Sequence, residues 1–400
     1  MKQLISSFLF IPFCLSLQAQ EISDTKFGNG MINFIAKDSS FSVKFAPRVQ
    51  SRYQSEWSYN GEDYDPVDIN FSVRRARLKF GGFAFSPKLK YKIELGLSNR
   101  DISGANVYNR NTPRYILDAV VMWNFHEKFE LWAGQTKLPG NIERVVSSAN
   151  LQLIDRSLLN SKFNIDRDMG IQLRHKLRLG GNWIIKEKFS ISQGEGRNIT
   201  EGNIGGLQYT SRLELLPFGE FSSKGDYSQG DLKREKSIKA MFGFTYDINE
   251  NAVKSRSNMG SYLIQSSGGL FETDITTIFL DGVIKYNGFA LTGEYANRDA
   301  DQIEALEEDG RTKTGAVVGA GSASNIQGSY LFKNNFEITA RYTNINFKEI
   351  TRLSDLKQIT FGVSKYVVGH SLKIQADISL LNASGIKDNV LFRTGFDLHF

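Results

Sequence analysis

From residue 41 onward the chain alternates apolar and polar side chains, over and over, in stretches of roughly ten residues. The alternation predicts strands near 41–54, 71–84, 88–97, 115–125, 128–136, 169–179, 182–192 and 206–216. It predicts eight more near 238–247, 274–286, 288–297, 323–332, 335–344, 356–366, 370–381 and 388–400. Sixteen is an even number, which places both ends of an up-and-down barrel on the same side.

The connections sort in step with the strands. Short turns fall at Ser86–Lys88, His126–Glu127, Gly180–Gly181, Asn287, Lys333–Asn334 and Val367–Gly369. Longer loops cover 55–70, 98–114, 137–168, 193–205, 248–273, 298–322, 345–355 and 382–387. Short turns on one side and long loops on the other are the mark of a transmembrane barrel, with periplasmic turns and extracellular loops. One connection breaks the rule: 217–237 is long and polar although its place calls for a turn, and a missed strand pair there would give eighteen strands. The last segment, VLFRTGFDLHF, sets Val390, Phe392, Thr394, Phe396, Leu398 and Phe400 on one face. That face would meet lipid, and a final strand ending in Phe resembles the recognition signal of outer-membrane barrels.

The alternation also assigns the charges. In FSVRRARLKF, Ala76, Leu78 and Phe80 share the lipid face, so Arg75, Arg77 and Lys79 face the lumen. Arg74 falls on the apolar side and must lie near a membrane boundary or beside a bulge. The next strand turns Lys90, Lys92 and Glu94 inward; the preceding one turns Lys44, Arg48 and Arg52 inward. Further along, Arg174, Lys176 and Arg178 share one face, and Arg212, Arg341 and Arg393 follow. A ladder of fixed cations favours anion passage. The alternative is that these charges pair with inward acids such as Glu94, Asp118, Glu130, Asp377 and Asp397.

The first twenty residues, MKQLISSFLFIPFCLSLQAQ, carry Lys2, an apolar run from Leu4 to Leu17 and a small Ala19. This reads as a secretory signal peptide, residues 1–19, cleaved near Ala19–Gln20. Residues 20–40 then form a short periplasmic segment before the barrel of 41–400. Cys14, the only cysteine, leaves with the signal, so neither disulfides nor thiolate metal sites are available. Loss of Lys2 lowers the net charge from +6 to +5, and basic residues placed on strands of an exported chain argue against nucleic acid as a partner. Thirty-six Gly, 29 Phe and 15 Tyr with only 7 Pro suit a chain made of strands.

Other signals point to no chemistry. TGAVVGAGSASN lacks the strand–turn–helix setting of a nucleotide loop and reads as a flexible extracellular loop. The acidic run from Arg298 to Gly310 matches no compact calcium loop and reads as solvated. His126, His175, His370 and His399 suggest no catalytic pairing, and no cofactor motif is present. The classes left standing are an anion pore, a general weakly selective porin, and a closed ligand-binding or adhesive barrel.

From RVQSRYQSEW through FSVRRARLKF, LDAVVMWNF, LWAGQTKLPGNIER, LIDRSLL and RDMGIQL, with PFGEFSSKGDY after them, the chain resembles the phosphate-selective porin O/P family. The resemblance implies a trimeric sixteen-stranded barrel in the outer membrane of a Gram-negative cell, surrounded by lipid and lipopolysaccharide. It implies passive uptake of phosphate or related anions past a third loop, near 137–168, folded into the lumen. Lys137 and Arg144 would then stand near the constriction, with the wall from Arg48 to Lys92 drawing anions in. The chain departs from the family at Thr136 and Gly140, where aromatic residues are usual.

Overall fold

The computed structural model describes residues 27–102, 106–200, 204–383 and 389–400. The expected signal peptide and cleavage site lie outside the described residues, as does most of the short loop expected at 382–387.

Sixteen antiparallel strands close into a barrel. They are β1 (Arg48–Trp57), β2 (Asp68–Ala84), β3 (Ser86–Gly96), β4 (Ile116–His126), β5 (Phe129–Lys137), β6 (Arg167–Arg178), β7 (Ile184–Ser192) and β8 (Gln208–Leu216). Then follow β9 (Lys239–Ala252), β10 (Thr273–Tyr286), β11 (Phe289–Ala300), β12 (Gly321–Leu331), β13 (Phe336–Phe347), β14 (Leu356–Val368), β15 (Leu372–Ala383) and β16 (Asn389–His399). Each pairs with its neighbour in sequence. The wall closes where β16 meets β1, in register from Val390↔Trp57 to His399↔Arg48. The wall thus closes without a free edge, the condition for crossing a hydrocarbon layer with strands.

All sixteen strands anticipated from the alternation are present. Outward side chains such as Val49, Leu213, Leu280, Ile326 and Phe361 remain exposed, as a lipid-facing surface requires. Aromatic side chains crowd the turn end: Trp123 meets Phe125 at 5.6 Å and Tyr330 meets Phe332 at 5.1 Å. They form part of an interfacial girdle.

Several boundaries differ from the pattern. The first predicted strand, 41–54, is broken at Ala46–Pro47, because Pro47 has no N–H for the ladder. Its lower part, Ser42–Phe45, pairs with β2 on one side and with a strand Ile32–Ile35 on the other. The segment expected to precede the barrel therefore joins its sheet at the turn end, where Phe27 packs edge-on against Phe400 at 5.6 Å.

The long connection 217–238 holds no strand; it carries a 3₁₀ turn, Ser222–Tyr227, so the barrel has sixteen strands and not eighteen. Lys285 donates to the carbonyls of Gly225 and Ser228, both at 2.7 Å, and draws the connection up into the lumen. On the loop side, Thr314–Asn325 is largely ordered into strand: Lys313–Val317 pairs with Glu304–Leu306, and β12 begins at Gly321. A further strand, Lys254–Tyr262, lies within the loop expected at 248–273.

Gly134 in β5 has a φ of +124°, and a Cβ there would stand 2.2 Å from the carbonyl oxygen of Ala119 on β4. No side chain fits between those two backbones. Gly134→Ala should cost about 1–3 kcal/mol for the conformation, with the overlap in addition. The expected outcome is a clear loss of the fast-migrating folded band in unheated gel electrophoresis; a folded yield equal to wild type would refute the close approach.

Candidate functional site

The lumen is organised by the connection between β5 and β6, residues 138–166, which folds inward. Its apolar side chains alternate with polar ones at short helical spacing, so the segment carries its own small core into the barrel. Leu138, Leu159, Phe163 and Ile165 pack on the lumen-facing Phe279, Ala296, Ala323 and Ile345. Ile142, Val146 and Leu151 pack with Leu216, Met241, Val283 and with Phe221 of the 217–238 connection. Ser157 caps the helix Leu158–Phe163 by accepting from Asn160 N at 3.1 Å.

An irregular chain inside a barrel needs partners for its backbone. The wall supplies them. Arg212 donates to Gly140 O at 3.0 Å, Asp281 accepts from Ile142 N at 3.2 Å, and Glu294 accepts from Glu143 N at 2.7 Å. Lys373 donates to Ala149 O at 2.9 Å and Leu151 O at 2.6 Å, and Asp377 accepts from Ile154 N at 3.1 Å. Arg298 donates to Lys162 O at 2.9 Å. At its far point the loop touches the 217–238 connection, where Gln229 N donates to Asn150 O at 2.9 Å.

Above this layer one carboxylate gathers four guanidinium groups. Asp155 meets Arg52 at 2.8 Å, Arg74 at 2.6 Å, Arg393 at 3.4 Å and Arg75 at 3.5 Å. Burial pushes the Asp155 carboxyl up, but the charges of Arg74, Arg75, Arg393 and Arg52 outweigh it and hold the group well below its ordinary range. Arg393 is also paired with Asp377 at 2.6 Å, so four positive charges stand against two negative ones and leave a local surplus. Arg74 reaches this cluster because β2 bulges there: Gln50 pairs with Arg75 while Ser51 pairs with Val73, and the extra residue turns inward.

The cluster forms one wall of a cavity of about 1170 Å³ that opens at the loop end. Among the described residues, fourteen Arg and Lys line it against four carboxylates, Asp101, Asp155, Asp166 and Glu195. Arg156 donates to the carbonyls of Glu143 and Val146, at 2.8 and 2.7 Å. Burial, then the charge of Arg144, draws its guanidinium down to about 9.

The residues singled out from the sequence take three kinds of place. Arg52, Arg75 and Arg77 line the cavity with Arg144; Arg77 also pairs with Glu94 and Asp101, each at 2.9 Å, and Arg144 with Asp166. A second group faces neighbouring side chains of the wall or carbonyls of the inward loop. Arg48, 1% exposed, binds Asp397 at 2.6 Å and Ser148 Oγ at 2.7 Å. Lys92 binds Asp118 at 2.7 Å, Lys79 lies across from Glu94, and Lys137 donates to the carbonyls of Arg144, Val145 and Val146 at 2.8–3.2 Å. Arg174 stacks on Trp132 at 3.5 Å. The third group lies toward the turn end, where Lys176 and Arg178 face Glu220 and Lys90 is exposed.

Sequence reasoning did not single out Asp155, and it passed over Arg100, Arg114, Arg197 and Arg256, which also line the cavity. Loops have no period, so nothing in the sequence tied these side chains to a common space.

A closed sixteen-stranded wall, a loop folded into the lumen and a cavity lined by charge are the marks of an outer-membrane porin. A family model for phosphate-selective porin O and P matches residues 48–379, and the chain belongs to that family. An uncharacterized protein of Aquifex aeolicus (strain VF5) is 26% identical over 358 residues, 83% of this chain and 80% of that protein. Among solved structures, an anion-selective porin from Comamonas acidovorans shares the fold with a TM-score of 0.54 and 13% identity, over 90% of this chain and 100% of that one. The trimer form of in-vitro folded OmpT from Vibrio cholerae does so with a TM-score of 0.51 and 13% identity, again over 90% and 100%.

Glu195, in the loop between β7 and β8, adds a titratable charge to the mouth. Burial, aided by the nearby Asp168, pushes its carboxyl up to about 7, although Gly205 N donates to it at 3.0 Å. Above that pH the mouth carries one more negative charge; below it, the group is neutral. The anion-over-cation permeability ratio in chloride salts should therefore rise as pH falls from about 8 to about 6, and Glu195→Gln should remove the step. A wild-type ratio flat across that range would contradict the assignment.

Proposed function

We propose that this porin conducts small anions passively across the outer membrane of a Gram-negative cell, with phosphate among its cargo. One observation carries the reading: the four-arginine cluster on Asp155 in a mouth where guanidinium groups far outnumber carboxylates. Guanidinium forks match phosphate oxygens two at a time, and a series of weak cationic sites lets an ion move on. The anion selectivity named for the Comamonas porin and the trimer form named for the Vibrio protein support an anion pore that assembles as a homotrimer. Residues 1–19 would direct export and then be removed. Within the lumen, Arg52, Arg75, Arg77 and Arg144 would touch the moving ion. Arg48, Lys79, Lys92, Lys137 and Arg174 would set the field behind them, and Lys90, Lys176 and Arg178 would act at the turn end.

The test is current through the purified protein in a planar bilayer under a chloride gradient, with phosphate titrated in. An anion-selective current that low phosphate interrupts is expected. Arg74→Ala with Arg75→Ala should lower the anion-over-cation permeability ratio by roughly half or more while channels still insert. A large current indifferent to phosphate, or a ratio unchanged in the double variant, would overturn the reading.

A further inference from the structure

The lumen-facing rows of four neighbouring strands change character at the same height. On β13 the inward series runs Glu337, Thr339, Arg341 and Thr343, then turns to Ile345 and Phe347. On β15 it runs Lys373, Gln375, Asp377 and Ser379, then turns to Leu381. Strands β14 and β16 enter from the loop end with Leu356 and Leu391 before their polar rows begin at Gln358 and Arg393. The register sets these positions side by side: Ile345 pairs with Leu356, Gln358 with Leu381, and Ser379 with Leu391. Phe347, Leu356, Leu381 and Leu391 all line the mouth cavity, joined by Leu158 of the inward loop and Leu353 of loop 348–355. Leu353 is 44% exposed.

This apolar strip abuts the arginine cluster. Arg393 lies two residues below Leu391 on the same face of β16, and Arg52 stands on the adjoining strand β1. Arg52 Nε is buried and finds no hydrogen-bond acceptor among the described residues. One side of the mouth thus offers guanidinium donors and the neighbouring side offers hydrocarbon.

A strip of Leu and Phe does nothing for a small hydrated oxyanion, whose surface is all polar. It does hold the body of an anion that has one charged end and one apolar end. We infer that the mouth binds organic anions of this shape, an aromatic or short-chain carboxylate, with the head on the Asp155 arginines and the body on the strip. This inference rests on the anion-pore reading and narrows its substrate class.

Benzoate, acetate and inorganic phosphate separate the possibilities in single-channel chloride current. Benzoate should interrupt the current at a concentration about tenfold lower than acetate, the scale expected for burying a ring. Leu381→Ser with Leu391→Ser should erase that advantage and leave chloride conductance and anion selectivity as they were. If the pair fails to insert, Leu353→Ser, on an exposed loop position, should reduce the advantage. Equal potency of benzoate and acetate in the wild type, or an advantage that survives the substitutions, overturns the inference while the anion pore stands. Absence of any anion preference in the chloride gradient overturns the pore reading and this inference with it.

Discussion

Backbone placed inside a barrel has to be hydrogen-bonded there, and that constraint shapes this lumen. The inward loop brings many peptide groups into the lumen, where its packing on the wall buries them. An unpaired buried peptide group costs on the order of 1–3 kcal/mol, so a loop of this length could not stay inside unaided. Side chains from most of the circumference answer it. Arg212, Asp281 and Glu294 hold its first part, Lys373 and Asp377 its middle, and Arg298 its helix. The 217–238 connection meets it from below, so two inward segments pack together inside the barrel.

Much of the lumen charge is therefore structural. Lys137 and Lys373 serve carbonyls, while Arg48 and Arg393 are neutralised by Asp397 and Asp377 at 2.6 Å. These enclosed pairs fix geometry more than they add net stability. The surplus that an ion would feel is concentrated higher, where Asp155 meets more guanidinium groups than it can neutralise. The carboxylate ties the loop tip to β1, β2 and β16 and, in doing so, prevents the arginines from repelling each other apart.

The period-two pattern carried the strand count and the face of each strand, because register in a barrel is set by which side chains tolerate lipid. It also left Arg74 two places, a membrane boundary or a bulge, and the register shift between Gln50 and Ser51 decides for the bulge. It did not reveal the job of an inward charge. Lys137 and Arg75 read alike in sequence, yet one caps loop carbonyls and the other faces the mouth. Pro47 interrupts a strand that its neighbours favour, and the 217–238 connection is held by contacts to Lys285 and Asn150 that are distant in sequence. Leu381 and Leu391 sat on faces that read as polar overall. Only their alignment across strands shows a strip.

The most direct test of the account is the reversal potential of Asp155→Asn under a potassium chloride gradient. Removing the carboxylate that the four arginines share should raise the anion-over-cation permeability ratio and loosen the loop, seen as a noisier open current. A ratio that stays the same, or moves toward cations, would mean that the arginine cluster is not where this pore selects its ions.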